Sequence, residues 1–215
     1  MNRSIAAFIV ITGAAGLVAA GDTRTIEAQA QLAAGQEVRL DFPVGELEIV
    51  GVEGARLRIE VEGRCKHGSS RCEEHLEEIE IEIRESGGAF RIEVAPHSKW
   101  RWWDSLQIEA RMTYPSSHEL IVDMGVGELD IEGLTGDLEV DLGVGEVSVD
   151  LPVEAVRSVS IDAGIGETEL KVPDGWVRGE RSFLIGSESS WRDGTGQARV
   201  RVEVGVGEAV VRLQD

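Results

Sequence analysis

Five hexapeptides of one design recur along the chain, each reading acid, apolar, Gly or Pro, Val or Ile, Gly, Glu. They are Asp41-Phe42-Pro43-Val44-Gly45-Glu46, Asp123-Met124-Gly125-Val126-Gly127-Glu128 and Asp141-Leu142-Gly143-Val144-Gly145-Glu146, then Asp162-Ala163-Gly164-Ile165-Gly166-Glu167 and Glu203-Val204-Gly205-Val206-Gly207-Glu208. From the second copy onward the spacing is about twenty residues, with one double step before the last copy, and a period of that length predicts a β-solenoid with one coil per repeat. The degenerate segment Leu184-Ile185-Gly186-Ser187-Glu188 stands where the missing copy is expected.

The phase of the apolar residues places these hexapeptides at corners. Leu138, Val140, Leu142 and Val144 would face inward on even numbers, whereas Val147, Val149 and Leu151 face inward on odd ones. A flat strand cannot change phase, since one extra residue turns every later side chain to the wrong face. A bulge or corner absorbs the slip, and glycine accepts the backbone angles it needs. The same slip follows Val126, Ile165 and Val206. Corner shaping accounts for these glycines. A phosphate-cradling loop would have to open a helix, and no helical pattern follows any of them.

Elsewhere the chain alternates with period two. Arg56 to Glu62 sets Leu57, Ile59 and Val61 on one face, and Ile79 to Arg84 turns through Gly87-Gly88 into Phe90 to Val94 as a hairpin. The segment from His75 to Glu78 is compatible with one helical turn, although the isoleucine spacing after it demands strand. The expected fold class is therefore all-β, with an antiparallel β-rich part over residues 22–112 and a solenoid of five coils over residues 113–215.

The first twenty residues read as a signal peptide. Arg3 precedes an apolar run from Ile5 to Val18, and Ala19-Ala20 offers small residues before Gly21. At about 14 residues the run is shorter than the roughly 20 needed to span a bilayer. Cleavage after Ala20, no membrane insertion afterwards, and a periplasmic, cell-surface or extracellular location are expected. In such an oxidising compartment Cys65 and Cys72 are expected to form a disulfide at a hairpin tip. A zinc site using His67 and His75 lacks the close ligand pairs such sites use.

The charge narrows the partners. With 40 acidic against 21 basic residues the net charge is −19, so nucleic acid and anionic lipid are excluded as partners, because phosphate binding depends on Lys and Arg. The repeated acids predict two columns, one through Asp123, Asp141 and Asp162 and one through Glu128, Glu146 and Glu167. Side chains splayed into solvent are expected there rather than a dedicated calcium site, which takes six to eight oxygen ligands from a shaped loop.

No enzymatic signature is present. The four histidines, at 67, 75, 97 and 118, share no motif with a nucleophile, and metal-protease, phosphate-loop and dinucleotide patterns are missing. No catalytic residue, metal ligand or cofactor is assigned. Trp100, Trp102 and Trp103 are concentrated in Lys99-Trp100-Arg101-Trp102-Trp103. They either stack on sugars or a partner, or pack against an end of the fold.

Tyr114-Pro115, Leu120-Ile121-Val122, the run from Gly125 to Val140 with its Leu134-Thr135-Gly136-Asp137 connection, and Gly45 to Gly54 together resemble the bacterial putative-adhesin family of exported β-strand-repeat proteins. The resemblance covers most of the chain after residue 20. It implies a solenoid in the envelope or outside the cell and carries over no catalytic residue. A non-catalytic binding or scaffold module for a protein or surface glycan is expected. A sensor or accessory component of an envelope-stress system, a polysaccharide-active enzyme and a purely structural spacer are the alternatives, the enzyme on fold analogy alone.

Overall fold

The computed structural model describes residues 23–66, 70–96, 106–178, 180–182 and 186–214. The expected signal peptide over residues 1–20, and Trp100, Trp102 and Trp103, lie outside them.

The alternating segments form strands, and those described join one thirteen-stranded sheet. In chain order they are β1 (Thr23–Gln31), β2 (Val38–Val52), β3 (Arg56–Cys65), β4 (Ile79–Ser86), β5 (Ala89–Pro96), β6 (Leu106–Pro115) and β7 (Leu120–Glu132). There follow β8 (Leu138–Pro152), β9 (Val156–Val172), β10 (Gly175–Arg178), β11 (Glu180–Ser182), β12 (Gly186–Trp191) and β13 (Ala198–Gln214). The protein is all-β apart from one described α-helix, α1 (Ser70–Glu77), and a short 3-10 turn.

The hexapeptides stack in register. Gly45 lies beside Gly127, Gly127 beside Gly145, Gly145 beside Gly207 and Gly207 beside Gly166, all on parallel strands. Each long strand bends there, dividing it into two flanks. Before the bend β2 pairs β5 and β9 pairs β12; after it β2 pairs β6 and β9 pairs β10. The inner faces of both flanks supply one continuous apolar core.

The order of the stack differs from the order of the chain. Strand β13 lies between β8 and β9, parallel to both, so the last hexapeptide is inserted rather than appended. Arg199 anchors its start, donating from its guanidinium and its backbone N–H to the Asp137 carboxylate in the β7–β8 connection. The degenerate copy at 186–188 belongs to β12, which runs antiparallel to β9 with Ser187 opposite Ala163; it is not the missing parallel coil. The first hexapeptide belongs to the same stack through β2, and among the described residues of 22–112 β2 pairs β5 and β6 in parallel, beside the antiparallel pairs β1–β3, β3–β6 and β4–β5.

In the two inward rows that flank the bend, large apolar side chains give way to small ones along the stack. The inward row before the bend reads Phe42, Met124, Leu142, Val204, Ala163, Ser187, and the row after it reads Leu47, Leu129, Val147, Ala209, Thr168. All are buried. Farther from the bend the bulk is kept, with Ile161 and Leu170 buried on β9, so the reduction is local to the bend of β9 and the facing β12. There the Thr168 hydroxyl lies 2.8 Å from both the Ser187 and Ser189 hydroxyls, satisfying the polar groups that replace apolar bulk.

Two local expectations are met and one is corrected. Strands β4 and β5 form the hairpin through Gly87-Gly88, with Ser86 opposite Ala89. Cys65 and Cys72 are joined by a disulfide, with Cα atoms 6.0 Å apart. The bond does not close a hairpin tip, because β3 pairs with β1 and β6 and not with β4. It ties the end of β3 to α1, whose Leu76 and Cys72 are buried in the core; burial of these side chains favours a short helix in a segment whose glutamates tolerate one.

The second glycine of each hexapeptide admits no substitute. Gly145 has φ +145°, and a Cβ on it would lie 1.8 Å from the Gly127 carbonyl oxygen. Gly54 has φ +118° with nothing within 4 Å of such a Cβ. Gly54→Ala is thus expected to cost about 1–2 kcal/mol for backbone conformation alone, and Gly145→Ala about 3–5 kcal/mol or the fold itself, since strands must also separate. Urea unfolding of both variants checks this; equal losses would contradict it.

Candidate functional site

The bend that aligns the glycines also aligns what lies between them. Val44, Val126, Val144, Val206 and Ile165 are register partners across β2, β7, β8, β13 and β9. Four of them are the exposed large aliphatic side chains among the described residues: Val126 at 48 %, Val144 at 46 %, Val206 at 42 % and Ile165 at 48 %. The expectation that Val144 faces inward is therefore overturned. Inward positions run to Leu142 and resume at Val147, so the four residues from Gly143 to Glu146 all lie outside the core. With adjacent strands bent this tightly at paired glycines, the side chain between them can only project from the outside of the bend. The result is a continuous ridge of β-branched side chains running across the strands.

Acidic rows flank the ridge on both sides. On one side Glu93, Asp41, Asp123, Asp141, Glu203, Asp162 and Glu188 are successive register partners. On the other side stand Glu62, Glu109, Glu46, Glu128, Glu146, Glu208 and Glu167. The expected columns exist, but Glu208 separates Glu146 from Glu167, and Glu203 separates Asp141 from Asp162.

The rows are neutralised differently. Arginines two residues along the strands reach the first row: Arg39 to Asp123 at 2.6 Å, Arg91 to Asp41 at 2.8 Å, and Arg201 to Glu203. An open cleft lined by Asp41, Glu93, Asp123, Asp141, Phe42 and Met124 lies where β5 leaves β2. The central glutamates of the second row, Glu46, Glu128, Glu146, Glu208 and Glu167, make no ion pair among the described residues. Adjacent unit charges at the ~4.8 Å strand spacing repel by about 0.9 kcal/mol in water. Asp130, two residues along β7 from Glu128, has acidic neighbours of its own: burial pushes its carboxyl up, Glu48 and Asp150 push it further, and Arg212 only partly offsets them. No described group of three or more His, Cys, Asp or Glu side chains converges as a metal site would.

Of the tryptophans with described side chains, Trp191 is packed against the core and Trp176 is exposed on β10, with the Lys171 ammonium 6.0 Å from its ring centroid. The ridge was the feature hidden from strand alternation. Its signal was the odd interval between Leu142 and Val147, repeated at every copy, which leaves Val or Ile outside each time.

No curated protein matches the sequence. The family model for the N-terminal domain of toast_rack, DUF2154, matches residues 17–171. A crystal structure of a putative cell adhesion protein from Clostridium sporogenes is similar with TM-score 0.55 at 18 % identity, over 89 % of this chain and 100 % of that one. Putative adhesins from Bacteroides fragilis and Parabacteroides merdae align at 9 % identity with TM-scores of 0.25 and 0.26. They cover 87 % and 90 % of this chain and 97 % of each of theirs.

Two electrostatic consequences are measurable. Glu146→Gln removes a repelling charge and is expected to raise the melting temperature at low salt, with the gain shrinking as salt screens the row; a lower melting temperature would contradict the unpaired state of Glu146. For Asp130 the folded carboxyl holds its proton at higher pH than the unfolded chain does, so its ionisation costs stability at neutral pH. Asp130→Asn should then stabilise at pH 7 and have progressively less effect as the pH falls toward the ordinary carboxylate range near 4. Denaturant titrations across that range would show the opposite trend if Asp130 were held ionised by Arg212.

Proposed function

The chain belongs to the toast_rack N-terminal domain family, and from that membership we propose that it is a non-catalytic binding or scaffold module, exported to the cell envelope or surface. In this reading the bent parallel stack is a short β-solenoid whose last coil is inserted between two earlier ones. It serves to hold a row of contact side chains at fixed intervals. The observation that carries the proposal is the exposed Val/Ile ridge between two acidic rows. Single exposed apolar residues need no explanation, but a contiguous patch with a polar rim marks an interaction surface.

Export rests on the basic start, apolar run and small-residue end of residues 1–20. The Cys65–Cys72 bond suits the same compartment. No described helix is long and apolar enough to cross a membrane. The adhesion names of the structural relatives agree with a surface role and lend it only the fold.

The purified protein immobilised against envelope extract, and in parallel probed on a glycan array, tests this reading. A retained protein or glycan is expected, and Val126→Thr/Val144→Thr should release it while the melting temperature stays within about 1 °C per site, as solvent-facing substitutions do. Silence in both arms would contradict a binding role.

A further inference from the structure

We propose that the ridge and its two acidic rows dock a basic amphipathic α-helix of another protein, apolar along one stripe and lysine- or arginine-rich on both sides of it. The inference rests on the binding-module reading and specifies the partner's chemistry.

The mode of contact follows from the stack. At the ridge, strands β7, β8 and β13 each have a partner on both sides, so their backbone groups are engaged within the sheet. A partner cannot add a strand across these three and must meet them through side chains.

The charge follows next. Every ridge side chain has a carboxylate three residues before it and another two residues after it. One row is partly neutralised by Arg39, Arg91 and Arg201, while the central glutamates of the other have no described cation. A second copy of this chain docking by the same ridge would set acidic rows against acidic rows in either orientation. Nucleic acid and anionic lipid meet the same repulsion. A cationic partner is the one that gains.

The spacing selects the helix. Side chains of the ridge recur at the ~4.8 Å separation of adjacent strands. An α-helix laid along them offers an apolar side chain about every 5.4 Å, one per turn. An extended segment offers one about every 6.8 Å on each face. Over the four steps of the ridge the helix drifts by about 2.4 Å and the strand by about 8 Å. Some thirteen residues, about 19 Å of helix at 1.5 Å per residue, span it. Long lysine or arginine side chains then reach outward to both rows with their stems along the apolar surface.

The test uses an 18-residue fluorescein-labelled leucine–lysine peptide with leucines at i, i+3, i+4 and i+7, and a scrambled isomer of identical composition. Anisotropy titration of the purified protein is expected to find at least tenfold tighter binding of the amphipathic peptide. Val126→Thr/Val144→Thr/Val206→Thr, which keeps side-chain shape, should lose at least tenfold in affinity with an unchanged circular dichroism spectrum. If that triple variant unfolds, Val144→Thr alone should lose at least twofold. Glu128→Gln/Glu146→Gln/Glu208→Gln should weaken binding and flatten its salt dependence. Equal affinity for both peptides, or undiminished binding to the ridge variants, overturns the proposal. A glycan or protein retained in the capture experiment while the two peptides bind alike overturns the helix and leaves the binding role standing.

Discussion

At the bend, backbone meets backbone with no room for a side chain. Cβ atoms placed on Gly127, Gly145, Gly207 and Gly166 would each fall 1.7–1.8 Å from the carbonyl oxygen of a glycine on the adjacent strand. Their φ angles of +142° to +147° lie where L side chains rarely go. Register follows from this contact, because a stack slipped by one residue would bring a side chain into the glycine line. Once register is set, everything beside the glycines is set too: valines align outward, acids align on either side, and apolar residues align inward in columns. The ridge, the acidic rows and the inward apolar columns are three readouts of one steric constraint.

The inserted position of β13 adds a long-range condition. Strands β8 and β9 follow each other in the chain, yet neither finishes its pairing until a strand more than forty residues further on enters between them. Non-local pairing of this kind slows folding, since loop closure precedes the contacts that reward it. Beside the bend Val204 stands between Leu142 and Ala163, and Ala209 between Val147 and Thr168. The strand also lies beyond residues 17–171, the part matched by the family model, although it occupies the middle of the stack that part builds.

Strand content, the hairpin at Gly87-Gly88, the disulfide and the corner at each Gly-Val-Gly-Glu could be read from residues alone, because each depends on local periodicity or spacing. Strand order could not, since Glu203 to Glu208 carries the same pattern as its neighbours and no local signal states which copy it joins. The outward turn of Val144 was masked by its apolar character, which normally signals burial. Of helix α1 only a turn from His75 was legible, because its apolar content is low; the rest follows from the tertiary placement of Leu76 and Cys72. The acidic rows were anticipated, but not that Arg39, Arg91 and Arg201 would attend one of them and not the other. That asymmetry depends on which side of the bend each arginine falls.

Strand order is the most direct test of this account, and cysteine pairs read it. Glu146 with Glu208, and Glu208 with Glu167, are register partners on adjacent strands, whereas Glu146 and Glu167 are separated by β13. Neighbouring strands stand about 4.8 Å apart, and a disulfide needs Cα atoms within about 7 Å. In double-cysteine variants under mild oxidation, the 146/208 and 208/167 pairs are expected to form intramolecular disulfides and the 146/167 pair to stay reduced. Ready bridging of 146 to 167, with 208 bridging to neither, would mean that the coils stack in chain order and would contradict the inserted strand.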